Sequence, residues 1–213
     1  MHNAFAELYE RSLGLMEAVC PTSGVRPLQE ILGPLQERTE AARPFFLQQT
    51  AHLSKWLQGS GSRQEQDGKG IGLNTVGMLS DRLSILAIKQ HRLRLQERDG
   101  SAKAIDLFQT QTLDILAALS IARPGNSAIN TKITTLPAEG QAANWIEAYF
   151  GLLTTNLLLW EAQEILYLKD ILSLPSDELR EYIQWFAVGN MRRNRYMELC
   201  ELLFWNRSDR NDG

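Results

Sequence analysis

Between Asn144 and Ile171 the chain reads NWIEAYFGLLTTNLLLWEAQEILYLKDI, its longest apolar-periodic segment. Trp145, Leu152, Leu159 and Leu166 recur every seven residues, with Ala148 and Ala162 filling between them. Side chains at that spacing share one helix face, so the segment predicts a long helix buried against other helices. A second stripe, spaced by three and four, runs Ile146, Tyr149, Leu153, Asn156, Trp160, Gln163, Tyr167. It places Asn156 and Gln163 two turns apart with Trp160 between them, polar groups where a plain core helix has none. Gly151 is the one weak helix former inside, a cost of about 1 kcal/mol relative to alanine.

Leu174-Pro175-Ser176-Asp177 ends this helix and starts the next. Pro175 cannot continue the hydrogen-bond ladder, and Ser176 is expected to cap a helix over 177–205. That helix carries Leu179, Ile183, Phe186, Asn190, Asn194, Met197, Glu201 and Phe204 on one stripe, apolar at the ends and polar in the middle. So short a connection makes the two helices antiparallel neighbours. Folding at Pro175 sets Asn156 level with Asn190–Asn194, and Tyr149 near Glu201. An unpaired buried amide costs about 1–3 kcal/mol, so these amides are expected to meet one another, a water or a ligand. Two readings stay open: amides that only fix the register between helices, and a ligand-contacting site.

The remaining chain adds helices over 75–98 and 101–122. In the first, Val76, Leu79, Leu83, Leu86 and Leu93 form one face, with Met78, Ile85 and Ile88 opposite. A helix apolar on both sides belongs in the centre of a bundle. Asp81 and Ser84 are then short polar groups on a largely buried element. Its basic end, Lys89, His91, Arg92, Arg94 and Arg98, suits a helix C-terminus, with an anionic ligand as the second reading. Upstream, one helix is expected over 3–19, and Pro34 and Pro44 predict two or three short helices across 25–57. The fold class is therefore all-α, a helical bundle with an N-terminal helical extension. Its parts are an N-terminal region over 1–58, a Gly/Ser-rich linker over 59–74, a core bundle over 75–205 and a polar tail over 206–213. A long connection over 123–142, with a β-branched piece at Thr131–Leu136, reads as a lid or binding loop. No alternating strand ladder is present.

Composition excludes more than it assigns. With 213 residues and 44% hydrophobic content the chain can build a core, and a net charge of −3 gives no reason to expect nucleic acid. Cys20 and Cys200 fall in apolar helical patterns and read as reduced, core-packed thiols, with a single disulfide as the open alternative. His2, His52 and His91 show no ligand spacing with them, so no metal site and no cofactor are expected. The glycine-rich stretch at 59–72 has Lys69 followed by Gly70 and no preceding strand, and it is not a phosphate loop. No membrane span and no signal-peptide layout are evident, which leads to a cytoplasmic location. Glu161-x-x-Glu164 and Glu198-x-x-Glu201 are carboxylate pairs of the kind that hold Mg²⁺ in helical phosphohydrolases. Folding at Pro175, however, sets the two pairs some turns apart.

Three segments carry a resemblance. They are Thr75-Val76-Gly77 leading into Asp81-Arg82-Leu83-Ser84-Ile85, Asn156 through Leu159-Trp160 to Gln163-Glu164, and Asn190 with Arg193-Asn194 and Glu198. Over Thr75–Phe204 the chain resembles a family of uncharacterised bacterial all-helical proteins often encoded near sugar-transferase genes. That family tends to carry an acid pair after the Trp where this chain has Gln163-Glu164. The resemblance implies no established activity, but it marks the same polar positions and adds Arg193. The candidate ligand-binding set is Asp81, Asn156, Trp160, Gln163, Asn190, Arg193 and Asn194. The expected function is a non-catalytic binding or assembly protein with a protein partner, a second copy or a small ligand. A link to cell-surface glycan synthesis is implied by the resemblance alone. The alternative is a Mg-dependent nucleotide or phosphate-ester hydrolase.

Overall fold

The computed structural model describes residues 26–59, 75–96, 101–122, 142–168 and 173–205. The helix expected over 3–19, the linker beyond Gly59, the connection at 123–141 and the tail lie outside the described residues. Of the described residues 93% are helical and none is in a strand, so the chain is an all-α bundle. Its helices are α1 (Arg26–Gly59), α2 (Val76–Gln96), α3 (Ser101–Ser120), α4 (Trp145–Leu168) and α5 (Ser176–Trp205). No helix among the described residues is long and apolar enough to cross a membrane.

The helix starts follow from local chemistry. At α2, Met78 N donates to Thr75 Oγ1 at 3.2 Å and Leu79 N to the Thr75 carbonyl at 2.9 Å, so Thr75 is the N-cap. At α4, Glu147 N donates to Asn144 Oδ1 at 3.0 Å, while the Glu147 carboxylate accepts from Ala143 N and Asn144 Nδ2. This reciprocal pairing occupies donors that a helix start otherwise leaves open. At α5 the first turn closes from Leu179 N to the Pro175 carbonyl at 3.0 Å. Pro175, rather than the expected Ser176, therefore sits at the cap position, and Ser176 is the first helical residue.

Antiparallel α4 and α5 form the main helix pair, and α2 packs across both of them. α3 packs chiefly on α2, and α1 chiefly on α4. The interior of α4 is buried all round, from Ala148 to Leu159. Two glycines let α5 pack closely, one against a ring and one against backbone. A Cβ on Gly151 would lie 2.2 Å from the Tyr196 ring, and one on Gly77 would lie 2.4 Å from the Met197 carbonyl oxygen. Gly151 is thus a contact point between α4 and α5, and its weak helix propensity is offset by packing. Trp145 stacks on Tyr149 and meets Phe204 edge-on, closing one end of the pair. Cys200 is fully buried, and burial pushes its thiol pKa upward, as a core-packed thiol requires.

The two prolines of α1 do not break it. The helix runs through Pro34 and Pro44 from Arg26 to Gly59, against the expectation of shorter pieces. Past Pro44 the reason is tertiary: Ala42, Phe46, Thr50 and Leu53 recur at helical spacing and are buried. Ala42, Phe46 and Leu53 belong to the same apolar cluster as α2, α4 and α5. Burying side chains of this size contributes about 1.5–3 kcal/mol each, enough to offset a proline's cost of about 3 kcal/mol. From Ala42 to Leu57 α1 therefore packs as part of the core.

The basic end of α2 is used structurally. His91 lies against Phe45 and Phe46 of α1 with ring centroids 5.3 and 5.7 Å away, and the Arg94 guanidinium covers Phe45. Arg92 pairs with Glu161 of α4 at 3.2 Å, and Lys89 sits over Phe108 of α3. Burial first, then Arg92 and Arg94, pull the His91 pKa below its ordinary 6.5, with Glu161 partly opposing. A histidine with a lowered folded pKa holds fewer protons when folded than when unfolded. Its contribution to stability is thus complete above pH 6.5 and is lost as pH falls through the folded value. Urea unfolding at pH 7.5 and pH 5.5 checks this, at roughly one pH unit on either side of the free imidazole value. Wild type is expected to lose more stability between the two than His91→Phe, and equal losses would contradict the assignment.

Candidate functional site

Halfway along α4 the helix reads Thr154-Thr155-Asn156, all three buried. The threonines settle within their own helix, donating to the Phe150 and Gly151 carbonyls at 2.9 and 2.8 Å. Asn156 has no such local solution for its amide and reaches across to α2. Its Nδ2 donates to Asp81 Oδ1 at 2.9 Å and to Ser84 Oγ at 2.7 Å. Ser84 in turn donates to the Asp81 carbonyl at 2.7 Å.

The third helix enters through Arg193 of α5. Its Nε donates to Asp81 Oδ1 at 2.8 Å, and its Nη2 donates to Oδ2 in the two-pronged arrangement that fits a carboxylate. The hydrogen bonds to Asp81 raise the Arg193 pKa, burial works against them, and the Asp81 charge adds to the rise. Asp81 is 8% exposed and Asn156 3%, while a third of the Arg193 side chain reaches solvent. The result is one polar junction binding α2, α4 and α5 at a single depth.

Above this junction a cavity of about 710 Å³ opens between α4 and α5. Asn156 and Arg193 stand at its floor, and Trp160, Tyr182 and Phe186 supply aromatic wall. Ile85, Leu159, Leu179 and Ile183 add apolar surface, and Gln163 and Asn190 stand at the exposed rim. The aromatic wall is internally braced: Phe186 lies 5.0 Å from Tyr182 and 5.4 Å from Trp185 between ring centroids. Tyr182 donates its hydroxyl to the Ala162 carbonyl of α4 at 2.5 Å, which fixes its ring between the two helices.

The expected site residues divide accordingly. Asn156, Trp160, Gln163, Asn190 and Arg193 line the cavity, and Asp81 lies behind the floor as the shared anchor of Asn156 and Arg193. Of the outcomes open to the amides, pairing with one another is not the one found. Asn190 is exposed and donates to the Phe186 carbonyl of its own helix at 3.0 Å, and Gln163 donates to the Tyr167 hydroxyl at 2.6 Å. Asn194 is half-buried and does not line the cavity. Arg193 and Asn156 meet on a single Asp81 oxygen, so the group that reaches Asn156's height from α5 is the guanidinium rather than an amide. Ser84, Tyr182 and Phe186 join the site from outside the candidate set. Ser84's spacing of three from Asp81 was the available signal for the first of them.

The carboxylate pairs go elsewhere. Glu161 and Glu164 face Arg92 at 3.2 and 4.0 Å, and Glu198 pairs with Arg195 at 3.0 Å. Glu201 accepts from Gly77 N at 2.9 Å and from Trp205 Nε1 at 2.8 Å, so its charge caps the N-terminus of α2. Among the described residues no three His, Cys, Asp or Glu side chains converge in a way that could hold a metal ion.

The fold and the cavity define a class: an all-α bundle with a ligand-sized cleft between two antiparallel helices. Comparison with protein-family models, with curated proteins and with solved structures finds no match to this chain.

Proposed function

We propose that this chain is a non-catalytic binding protein, with the cleft between α4 and α5 as its binding site. The observation that carries this reading is the cavity itself. At about 710 Å³ it falls in the size range of small-molecule pockets, with aromatic and apolar walls and a few fixed polar groups at the floor. Among the described residues its lining includes no carboxylate, imidazole, thiol or aliphatic hydroxyl to serve as base or nucleophile. The one charged side chain among them, Arg193, is already met by Asp81. A hydrolase reading draws no support from carboxylates that are engaged by arginines and a helix start. The resemblance adds a context, cell-surface glycan synthesis served from the cytoplasm, in which an assembly role with a protein partner or a second copy would fit.

Ile183 gives the test. It lines the cleft yet is 60% exposed, so Ile183→Arg fills the opening without touching the core. Its effect on stability is expected to stay within about 0.5 kcal/mol. Native mass spectrometry of protein purified without denaturation is expected to show a bound small molecule on wild type that Ile183→Arg lacks. An identical spectrum for the two proteins would count against the cleft as the site.

A further inference from the structure

The hydrogen bonds at the cleft floor fix which atoms remain for a ligand. Both Nδ2 hydrogens of Asn156 are spent, one on Asp81 and one on Ser84, whose own hydrogen goes to the Asp81 carbonyl. That sets the amide orientation, because Asp81 Oδ1 can only accept. Asn156 is left with its side-chain oxygen, an acceptor, for the cavity that it lines. Arg193 is left with donors. Its Nε hydrogen and one on Nη2 go to Asp81, so the Nη1 pair and the second Nη2 hydrogen remain. The two residues share one Asp81 oxygen, which makes them neighbours. The floor therefore presents one acceptor beside several donors, with the formal charge of Arg193 neutralised from behind.

Resting on the binding reading above, we infer that the cleft takes a neutral ligand bearing a carboxamide on an apolar or aromatic body. A carboxamide is planar, with an acceptor and a donor side by side. Its oxygen takes an Arg193 N–H while its N–H₂ gives to Asn156 Oδ1. A carboxylate would set a negative oxygen against the Asn156 oxygen, and Arg193 has no unpaired charge to offset this. An ammonium would face the guanidinium donors. The body of the ligand lies against Trp160, Tyr182 and Phe186, where the cavity surface is apolar.

Three molecules of nearly equal shape separate the possibilities: hydrocinnamamide, hydrocinnamate and benzylacetone. The ketone keeps the acceptor and loses the donor; the acid loses the donor and gains charge. Each is titrated into the isotope-labelled full chain, and NMR shifts are followed at the Trp160 indole, the Gln163 and Asn190 amides and the Ile183 backbone. The amide is expected to bind about tenfold more tightly than either analogue, the effect of one well-placed hydrogen bond. Equal or tighter binding of the ketone or the acid at these residues would overturn the carboxamide and leave the cleft as a binding site. Absence of cleft shifts with all three would also overturn it. The binding reading fails separately, on the Ile183→Arg comparison.

Discussion

Arg193→Ala is expected to destabilise the protein by about 3 kcal/mol, the low end for breaking a buried ion pair. The low end applies because a third of the Arg193 side chain is exposed, whereas the Asp81 side chain is 11% exposed. The asymmetry between the partners sharpens the test. Losing Arg193 strands a buried carboxylate whose remaining side-chain partner, Asn156, offers it one hydrogen bond and no charge. Losing the charge at Asp81 by Asp81→Asn leaves a guanidinium that can turn toward solvent, and costs less. Arg193→Ala/Asp81→Asn should then recover part of the loss, since the stranded charge is gone and contacting groups are not additive. Urea unfolding of the three variants checks the order. A loss below about 1 kcal/mol for Arg193→Ala would place the pair among exposed bridges of little consequence.

The second large effect comes from adding a single methyl group. At Gly77 a Cβ would sit 2.4 Å from the Met197 carbonyl oxygen and 3.1 Å from its carbonyl carbon. Both are backbone atoms of α5, which cannot rotate aside as a side chain can, so α2 must move away from α5. Moving it stretches the bond from Gly77 N to Glu201, which is charge-assisted and caps the helix. Alanine gains about 1 kcal/mol of helix propensity. Overpacking costs typically 1–3 kcal/mol, and the capping bond about 1.5–3 kcal/mol more. Gly77→Ala is expected to lose about 1.5–5 kcal/mol net in urea unfolding. Gly59, with nothing within 4 Å of its would-be Cβ, is the control and is expected to change by less than about 0.5 kcal/mol on the same substitution. A Gly77→Ala protein as stable as wild type would show that α2 and α5 are not in backbone contact.

Much of this was legible in the residues, for physical reasons that also explain what was not. Helical periodicity and the Pro175 break identify the helices of the α2–α5 core, because apolar spacing is local information. The register of the hairpin follows from a short turn, and it sets Asn156 at the height where Arg193 arrives. Periodicity cannot choose between the neighbours of a helix that is buried on every side. From Ala148 to Leu159 every α4 residue is buried, so its polar groups could have turned to α1, α2 or α5. Asn156 turns to α2, where Asp81 offers a charged acceptor and Ser84 a second one, and this outcompetes an amide on α5. Side-chain reach matters as well: Arg193 spans to Asp81, whereas the shorter Asn190 bends back to the Phe186 carbonyl. The prolines of α1 mislead for a related reason. Propensity is a local cost, and the packing of Phe46 and Leu53 that offsets it comes from residues far along the chain. Glu201 looked like half of a metal-binding pair because sequence shows its neighbour Glu198, not the Gly77 amide 124 residues away.

The Asn156 amide is held by Asp81 and Ser84, which leaves its oxygen for the cleft that it lines. Hydrogen exchange of the Asn156 side-chain amide tests this most directly, with the exposed Asn190 amide as the reference within the same protein. Both Asn156 hydrogens are predicted to give separate resonances that exchange on the order of 100-fold more slowly than those of Asn190. An Asn156 amide exchanging as fast as that of Asn190 would contradict the junction and the cleft floor built on it.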